Sequence, residues 1–239
     1  MPRMFMVITA HPDDAEFGAA GTVAKWISEG WECVYVVSTN GDKGSSDPKM
    51  TSERLAKIRE KEQRNAAKVL GVSEVMFLGY PDGFLEDTAE YRGQLVKQIR
   101  RFKPEIVMAP DPYRRYFWHH DHRITGTVVL DAVYPYARDR LFYPEHQAQG
   151  LEPHKVAEVF TFGADDPDTF IDVSATWERK LQALRCHASQ LPPDFDEGIK
   201  GWLTERAAEA GKGIGAPLAE GFRRVQFDWV QYQSRKKGM

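Results

Sequence analysis

Two short strings carry most of the chemistry-bearing side chains: His11-Pro12-Asp13-Asp14 and His119-His120-Asp121-His122-Arg123. Imidazole and carboxylate are both good zinc ligands. Adjacent carboxylates can divide the work, one holding a metal while the other polarises a water beside it. Pro12 stiffens the turn between His11 and Asp13. Alone, the first string would also suit a polar strand end in which Asp14 caps the next helix, and the second a solvated histidine-rich loop. Together they point to metal, because three histidines and an aspartate between 119 and 122 are costly to bury unless paired or ligated. They supply the donors of a three-ligand catalytic zinc site with water in the fourth position. Iron or cobalt would suit the same donors.

These strings need rigid elements to bring them together. Met4 to Thr9 reads as a buried strand, followed by a helix over Gly18–Glu29, a strand over Cys33–Ser38 and a polar loop over Asn40–Lys49. A long amphipathic helix follows over Glu53–Leu70, with Gly71 just past its end. Next come a strand over Val75–Leu78, a helix over Thr88–Phe102 and a strand over Glu105–Ala109. A histidine-rich loop then leads into a helix over Ile124–Val133. Strands alternating with helices predict an α/β fold, Rossmann-like, with a mostly parallel sheet flanked by helices. The clusters near His11, Asn40 and His119 each follow a strand, so one sheet edge collects them. After Tyr134 the pattern changes, with strands over Val156–Phe162 and Phe170–Val173 and a helix over Ala175–His187. Leu191–Gly221 mixes Pro, Gly and helical stretches, and Phe222–Val230 reads as a last strand. With no clean linker, the expectation is one domain over 1–239, a doubly wound core over 1–133 and a C-terminal elaboration over 134–239.

The bulk numbers exclude several classes. In 239 residues, 42% are apolar, enough for a core, and the net charge of -3 gives no steering towards nucleic acid or anionic lipid. The basic tail Arg235, Lys236, Lys237 reads as a solvated end. Cys33 and Cys186 do not make a disulfide scaffold. No signal-like or membrane-spanning apolar stretch occurs, so the expected location is the cytoplasm, with no membrane partner. A dinucleotide fold would place close-approach glycines after the first strand, where this chain has HPDDAEFGAAG. Neither a Walker string nor Gly-x-Ser-x-Gly occurs.

The string Ala10 to Glu16 with Gly18, together with His119-His120-Asp121-His122, resembles the two metal motifs of the LmbE-like, or PIG-L-like, zinc-dependent N-deacetylases. His120 stands where that family usually has proline. Thr39 to Gly44, Arg59 and Glu62 with Ala66, Leu70 and Gly71, Asp82-Gly83, and Glu178 to Lys180 with His187, Ser189 and Gln190 extend the likeness from Phe5 to Gln190. Asp42 stands where glutamate is commoner. The resemblance implies that His11, Asp14 and His122 ligate one zinc ion and that Asp13 is the general base. It implies that His119 stabilises the oxyanion or protonates the leaving amine, and that Asp121 orients His119. The implied substrate is a small N-acylated molecule, an N-acetylglucosamine-type conjugate, with a homo-oligomer plausible for the family. A metal-dependent amidase acting on a non-sugar or thiol conjugate, and a non-catalytic metal-containing binding protein, are the alternatives.

Other residues have weaker signals. Asp42 and Ser45 line the polar loop beside the site or serve its turns. Arg59 and Glu62 lie three apart on one helix face and read as structural support. Arg114 and Arg115 offer guanidinium forks to a sugar hydroxyl or carboxylate. Trp118, with Tyr113, Tyr116 and Phe117, suits sugar stacking or core packing equally.

Overall fold

The computed structural model describes residues 3–192, 194–195 and 198–229. The tail Arg235 to Lys237 and the final residue of the Phe222–Val230 expectation lie outside them. The strands are β1 (Met4–Thr9), β2 (Glu32–Thr39), β3 (Glu74–Tyr80), β4 (Ile106–Pro110), β5 (Glu158–Phe162), β6 (Thr169–Asp172) and β7 (Ala219–Gln226). The helices are α1 (Asp14–Gly18), α2 (Ala20–Ser28), α3 (Ser52–Leu70), α4 (Ala89–Phe102), α5 (His120–Asp131), α6 (Pro144–Ala148), α7 (Trp177–Leu184) and α8 (Ile199–Lys212).

The seven strands form one sheet in the order β3-β2-β1-β4-β5-β7-β6. From β3 to β5 every pairing is parallel, and β7 runs antiparallel to both β5 and β6. β1 is central and buried on both faces, which explains its unbroken apolar run. The period of two divides its side chains. Phe5 and Val7 pack with Val23 of α2 and Leu70 of α3, while Met6 and Ile8 pack with Leu95 of α4 and Val128 of α5. The chain turns from one side of β1 to the other between β3 and β4. The carboxyl ends of β1 and β4 therefore flank the switch point, where open α/β sheets bind ligands.

Several elements differ from the sequence expectation. The helix expected over Gly18–Glu29 is split in two at Ala19 (φ -146°). Gly18 lies so close to the Phe162 ring of β5 that a Cβ would collide with it. The helix expected from Ile124 begins at His120, so the second histidine cluster is a helix start rather than a loop. The last strand lies earlier, at Ala219–Gln226, because it pairs Phe222 with Phe162 on one side and Ala219 with Asp172 on the other. The mixed Leu191–Gly221 segment contains α8, which packs on β7 and β6. Among the described residues no helix is long and apolar enough to cross a membrane.

Gly126 sets how closely α5, and the cluster at its start, approaches β4. A Cβ there would lie far inside van der Waals contact of the Pro110 carbonyl oxygen, with the Pro112 ring also too close. A backbone oxygen cannot swing aside as a side-chain tip can. Gly126→Ala is therefore expected to destabilise the protein by about 1–3 kcal/mol and to weaken metal retention by displacing α5. Denaturant midpoints and metal content read both effects, and a variant as stable and as metal-rich as the parent would refute the constraint.

Candidate metal centre and its cavity

β1 ends at Thr9, and the chain turns sharply through His11 and Pro12 into α1. Asp13 occupies the left-handed region at φ 89°, a conformation that costs energy in any residue with a Cβ. Its surroundings hold it there. Its N–H donates to Gln63 Oε1 (2.9 Å), and the Arg59 guanidinium binds both the Pro12 carbonyl (2.6 Å) and Asp13 Oδ2 (3.0 Å). Arg59 also donates to the Gly41 carbonyl (2.9 Å), tying the loop after β2 to the same turn. Beneath them, Gln63 and His187 bond to buried Glu16, and Glu62 accepts from the N–H and hydroxyl of Ser189.

The turn brings Asp14 back under β1, where its Oδ2 accepts the N–H groups of Ala10 (3.0 Å) and His11 (2.9 Å). Its Oδ1 lies 3.0 Å from His122 Nε2, which is 3.2 Å from His11 Nδ1. His11 Nδ1 in turn lies 3.7 Å from Asp14 Oδ2. Donors around a tetrahedral ion with bonds of about 2.0–2.1 Å stand roughly 3.3 Å apart, so the two contacts of His122 suit one small cation, while the Asp14 carboxylate stands a little wider of His11. The nitrogens of His11, His119 and His122 also lie within 4.8 Å of one another, a looser set.

The other nitrogen of His11 is equally constrained. Nε2 meets Asp82 Oδ1 at 3.0 Å and Asp121 Oδ2 at 3.1 Å. Such partners fix the ring and leave Nδ1 to face a metal. Asp82 also accepts the Lys43 N–H (3.0 Å), and Asp121 accepts those of Gly83 (2.7 Å) and Leu85 (3.3 Å). Burial opposes a charged imidazole here, but Asp121, Asp14 and Asp82 outweigh it and raise the His11 pKa to about 11. That excess of negative charge suits a cation at this point.

Asp121 therefore does not orient His119, as the resemblance implied. It is fully buried and turned towards His11 and the Gly83–Leu85 backbone. Positions 119 and 121 lie two apart at a helix start and point in different directions, whereas 119 and 122 share a face. The His119 and His122 rings accordingly stack at 4.5 Å. Burial, and then the imidazoles of His122 and His11, push the His119 pKa down, so this ring is a neutral N–H donor at neutral pH. Burial raises the Asp13 carboxyl to about 6 against the opposing pull of Arg59.

A cavity of about 720 Å³ opens over these groups, within the range that encloses a small-molecule ligand. Arg114 lies on its wall, but Asp42, Arg115 and Trp118 do not. Asp42 turns to the Lys43 ammonium, Arg115 pairs with Asp165, and Trp118 is 70% exposed beside Arg123. The far wall comes from the C-terminal part: Phe162, Phe170, Lys180, Trp202, Arg206 and Glu220. Lys180 and Glu220 form a buried pair (2.6 Å), with Lys180 also bonded to the Phe17 carbonyl and Glu220 to the N–H groups of Gly21 and Thr22. Sequence reasoning assigned no role to Asp82, Gln63, Glu220 or Arg206. Asp82 carried only its place in a family-like loop, and Lys180 only its place in a family-like helix.

The description GlcNAc-PI de-N-acetylase, the PIG-L family, matches residues 6–133. The chain belongs to the PIG-L family. It is 36% identical to a diacetylchitobiose deacetylase of Thermococcus kodakarensis over 93% of this chain and 83% of that one. It is 29% identical to a probable N-acetyl-α-D-glucosaminyl L-malate deacetylase 2 of Bacillus anthracis, over 82% and 88%. The crystal structure of an N,N'-diacetylchitobiose deacetylase from Pyrococcus horikoshii superimposes with a TM-score of 0.89 at 34% identity, covering 94% of this chain and 84% of that one. These PIG-L relatives are deacetylases, hydrolases of carbon–nitrogen bonds other than peptide bonds.

Asp82→Asn and Asp121→Asn each remove a carboxylate from His11 while keeping its shape. Each is expected to weaken metal affinity about 10–100-fold, read by competition against a coloured chelator. Affinities equal to the parent's would dissociate these carboxylates from the metal centre.

Proposed function

We propose that this PIG-L protein is a zinc-dependent de-N-acetylase that hydrolyses the amide of an N-acetylglucosamine-type conjugate, releasing acetate and a free amine. The observation that carries this reading is that His122 Nε2 lies beside both His11 Nδ1 and the Asp14 carboxylate, with Asp13 and His119 lining the same cavity. Zinc held by His11, Asp14 and His122 would supply a Lewis acid that polarises the amide carbonyl and acidifies a water.

The chain's own groups account for the proton movements. Asp13, with a carboxyl pKa near neutrality, takes a proton from the attacking water as the new C–O bond forms. Arg59 and Gln63 hold Asp13 in place through that step. His119 presents its N–H to the oxygen that gains negative charge. When the C–N bond breaks, the proton on Asp13 passes to the departing nitrogen, directly or through His119. Asp121 and Asp82 act earlier, by fixing His11.

Metal-loaded protein is expected to release acetate from an N-acetylglucosamine conjugate. Asp13→Asn should lose about 10²–10⁴-fold in kcat while still binding one metal. Chelation should abolish turnover, and zinc should restore it. Full activity of Asp13→Asn, or of metal-free protein, would sink the assignment.

A further inference from the structure

The peptide between Pro12 and Asp13 is gripped at both of its polar atoms by α3. Its carbonyl accepts from the Arg59 guanidinium at 2.6 Å, and its N–H donates to Gln63 Oε1 at 2.9 Å. The same Arg59 nitrogen holds Asp13 Oδ2 at 3.0 Å, so peptide and carboxylate are fixed as a unit. In this orientation of the peptide Asp13 stands at φ 89°. Turning the peptide plane over would release Asp13 from the left-handed region. It would also tilt the Asp13 side chain and take the carbonyl away from Arg59.

Gln63 opposes that turn only if its own amide stays put. A side-chain amide has an acceptor on one side and donors on the other. Rotated by half a turn, its NH2 would meet the turned-over carbonyl as well as its oxygen now meets the N–H. Glu16 prevents the joint rotation. Gln63 Nε2 donates to both Glu16 oxygens, each at 3.1 Å. An ionised carboxylate only accepts, so a rotated Gln63 would press its oxygen against two others with no proton between them. That arrangement is costly out of reach of water, and Glu16, Gln63 and His187 are fully buried. His187 Nε2, 3.2 Å from Glu16 Oε2, holds the carboxylate from its other side. Glu16, Gln63 and His187 lie behind the turn and off the cavity wall, whereas Asp13 and Arg59 are on it.

We propose that Glu16 is a positioning residue: it fixes the orientation of the Gln63 amide, which locks the Pro12–Asp13 peptide and so aims the Asp13 carboxylate. The catalytic consequence rests on the reading of Asp13 as general base, and the lock itself does not.

Two substitutions of nearly unchanged shape test the lock. In Glu16→Gln the amide at position 16 can turn either an N–H or an oxygen towards Gln63, so both orientations of Gln63 become possible. In Glu16→Gln/Gln63→Glu donor and acceptor change places. The amide at 16 then donates to the carboxylate at 63, which accepts the Asp13 N–H and cannot receive a turned-over carbonyl. Zinc-loaded proteins are compared by kcat and KM on an N-acetylglucosamine conjugate, and by the NMR signal of the Asp13 amide in protein labelled at aspartate nitrogen. Glu16→Gln should lose about tenfold to a hundredfold in kcat, with KM and metal content little changed, and its Asp13 amide signal should shift or double. The double variant should return both to the parent's values. A role confined to filling space or charge at position 16 predicts instead a double variant no better than the single one. If Glu16→Gln does not fold, the double variant decides, and a parent-like signal there upholds the lock. An unchanged amide signal in Glu16→Gln overturns it, as does a double variant that fails to fold or keeps the single variant's signal. If the amide signal follows the expected pattern while kcat does not, the lock stands and the assignment of Asp13 as general base fails.

Discussion

The imidazole of His11 is gripped on one side by two carboxylates that come from different loops. Asp82 follows β3 and Asp121 lies in the first turn of α5. Through them the ends of three strands are drawn to one ring, and the same carboxylates take backbone N–H groups from Lys43, Gly83 and Leu85. Most of the site's geometry depends on that arrangement. The ring it fixes turns Nδ1 towards Asp14 and His122, and the loops it ties together form the cavity floor. Carboxylates packed this closely around a buried imidazole would repel one another without positive charge among them.

A second layer supports the general-base candidate. Asp13 sits in a strained turn, and α3 supplies the groups that hold it, Arg59 and Gln63. These lie four apart and so project from one helix face towards the turn. Glu62, on the same helix, fastens Ser189 from the segment after α7, so the C-terminal part braces the helix that braces the turn. A chain of this kind turns an unfavourable backbone conformation into a fixed one, because several independent bonds must break before Asp13 can relax.

The sequence made parts of this legible and hid others for definite reasons. The parallel core was readable because β1, β2 and β4 are short apolar runs separated by helical periodicity. The clusters at 11–14 and 119–122 stood out because imidazoles and carboxylates rarely gather without purpose, whereas the choice of His11, Asp14 and His122 within them rested on the family resemblance. The pairing of Asp121 was misjudged because nearness in sequence is not nearness in space: where α5 starts at His120 rather than Ile124, residues two apart face different ways. Asp82 was hidden because its role arises only when the β3 loop folds over the end of β1. The shifted β7 shows a similar dependence, since its register is set by antiparallel partners far away in the chain. The pocket assignments of Asp42, Arg115 and Trp118 failed because each side chain finds a nearer partner or solvent outside the cavity.

The cavity's two walls come from separate stretches of chain. The wall with the proposed metal donors lies between His11 and Arg123, inside the span that matches the family, which ends at residue 133. The opposite wall, from Phe162 to Gly221, lies wholly beyond it. Its strands join the sheet at the far edge, past β5, where a change in loop or helix leaves the parallel core undisturbed. Such a division lets evolution revise what the cavity admits without touching the reacting groups. The modular unit is half a cavity rather than a domain, and exchanging that half between relatives is the natural route by which one reaction centre acquires new molecules to work on.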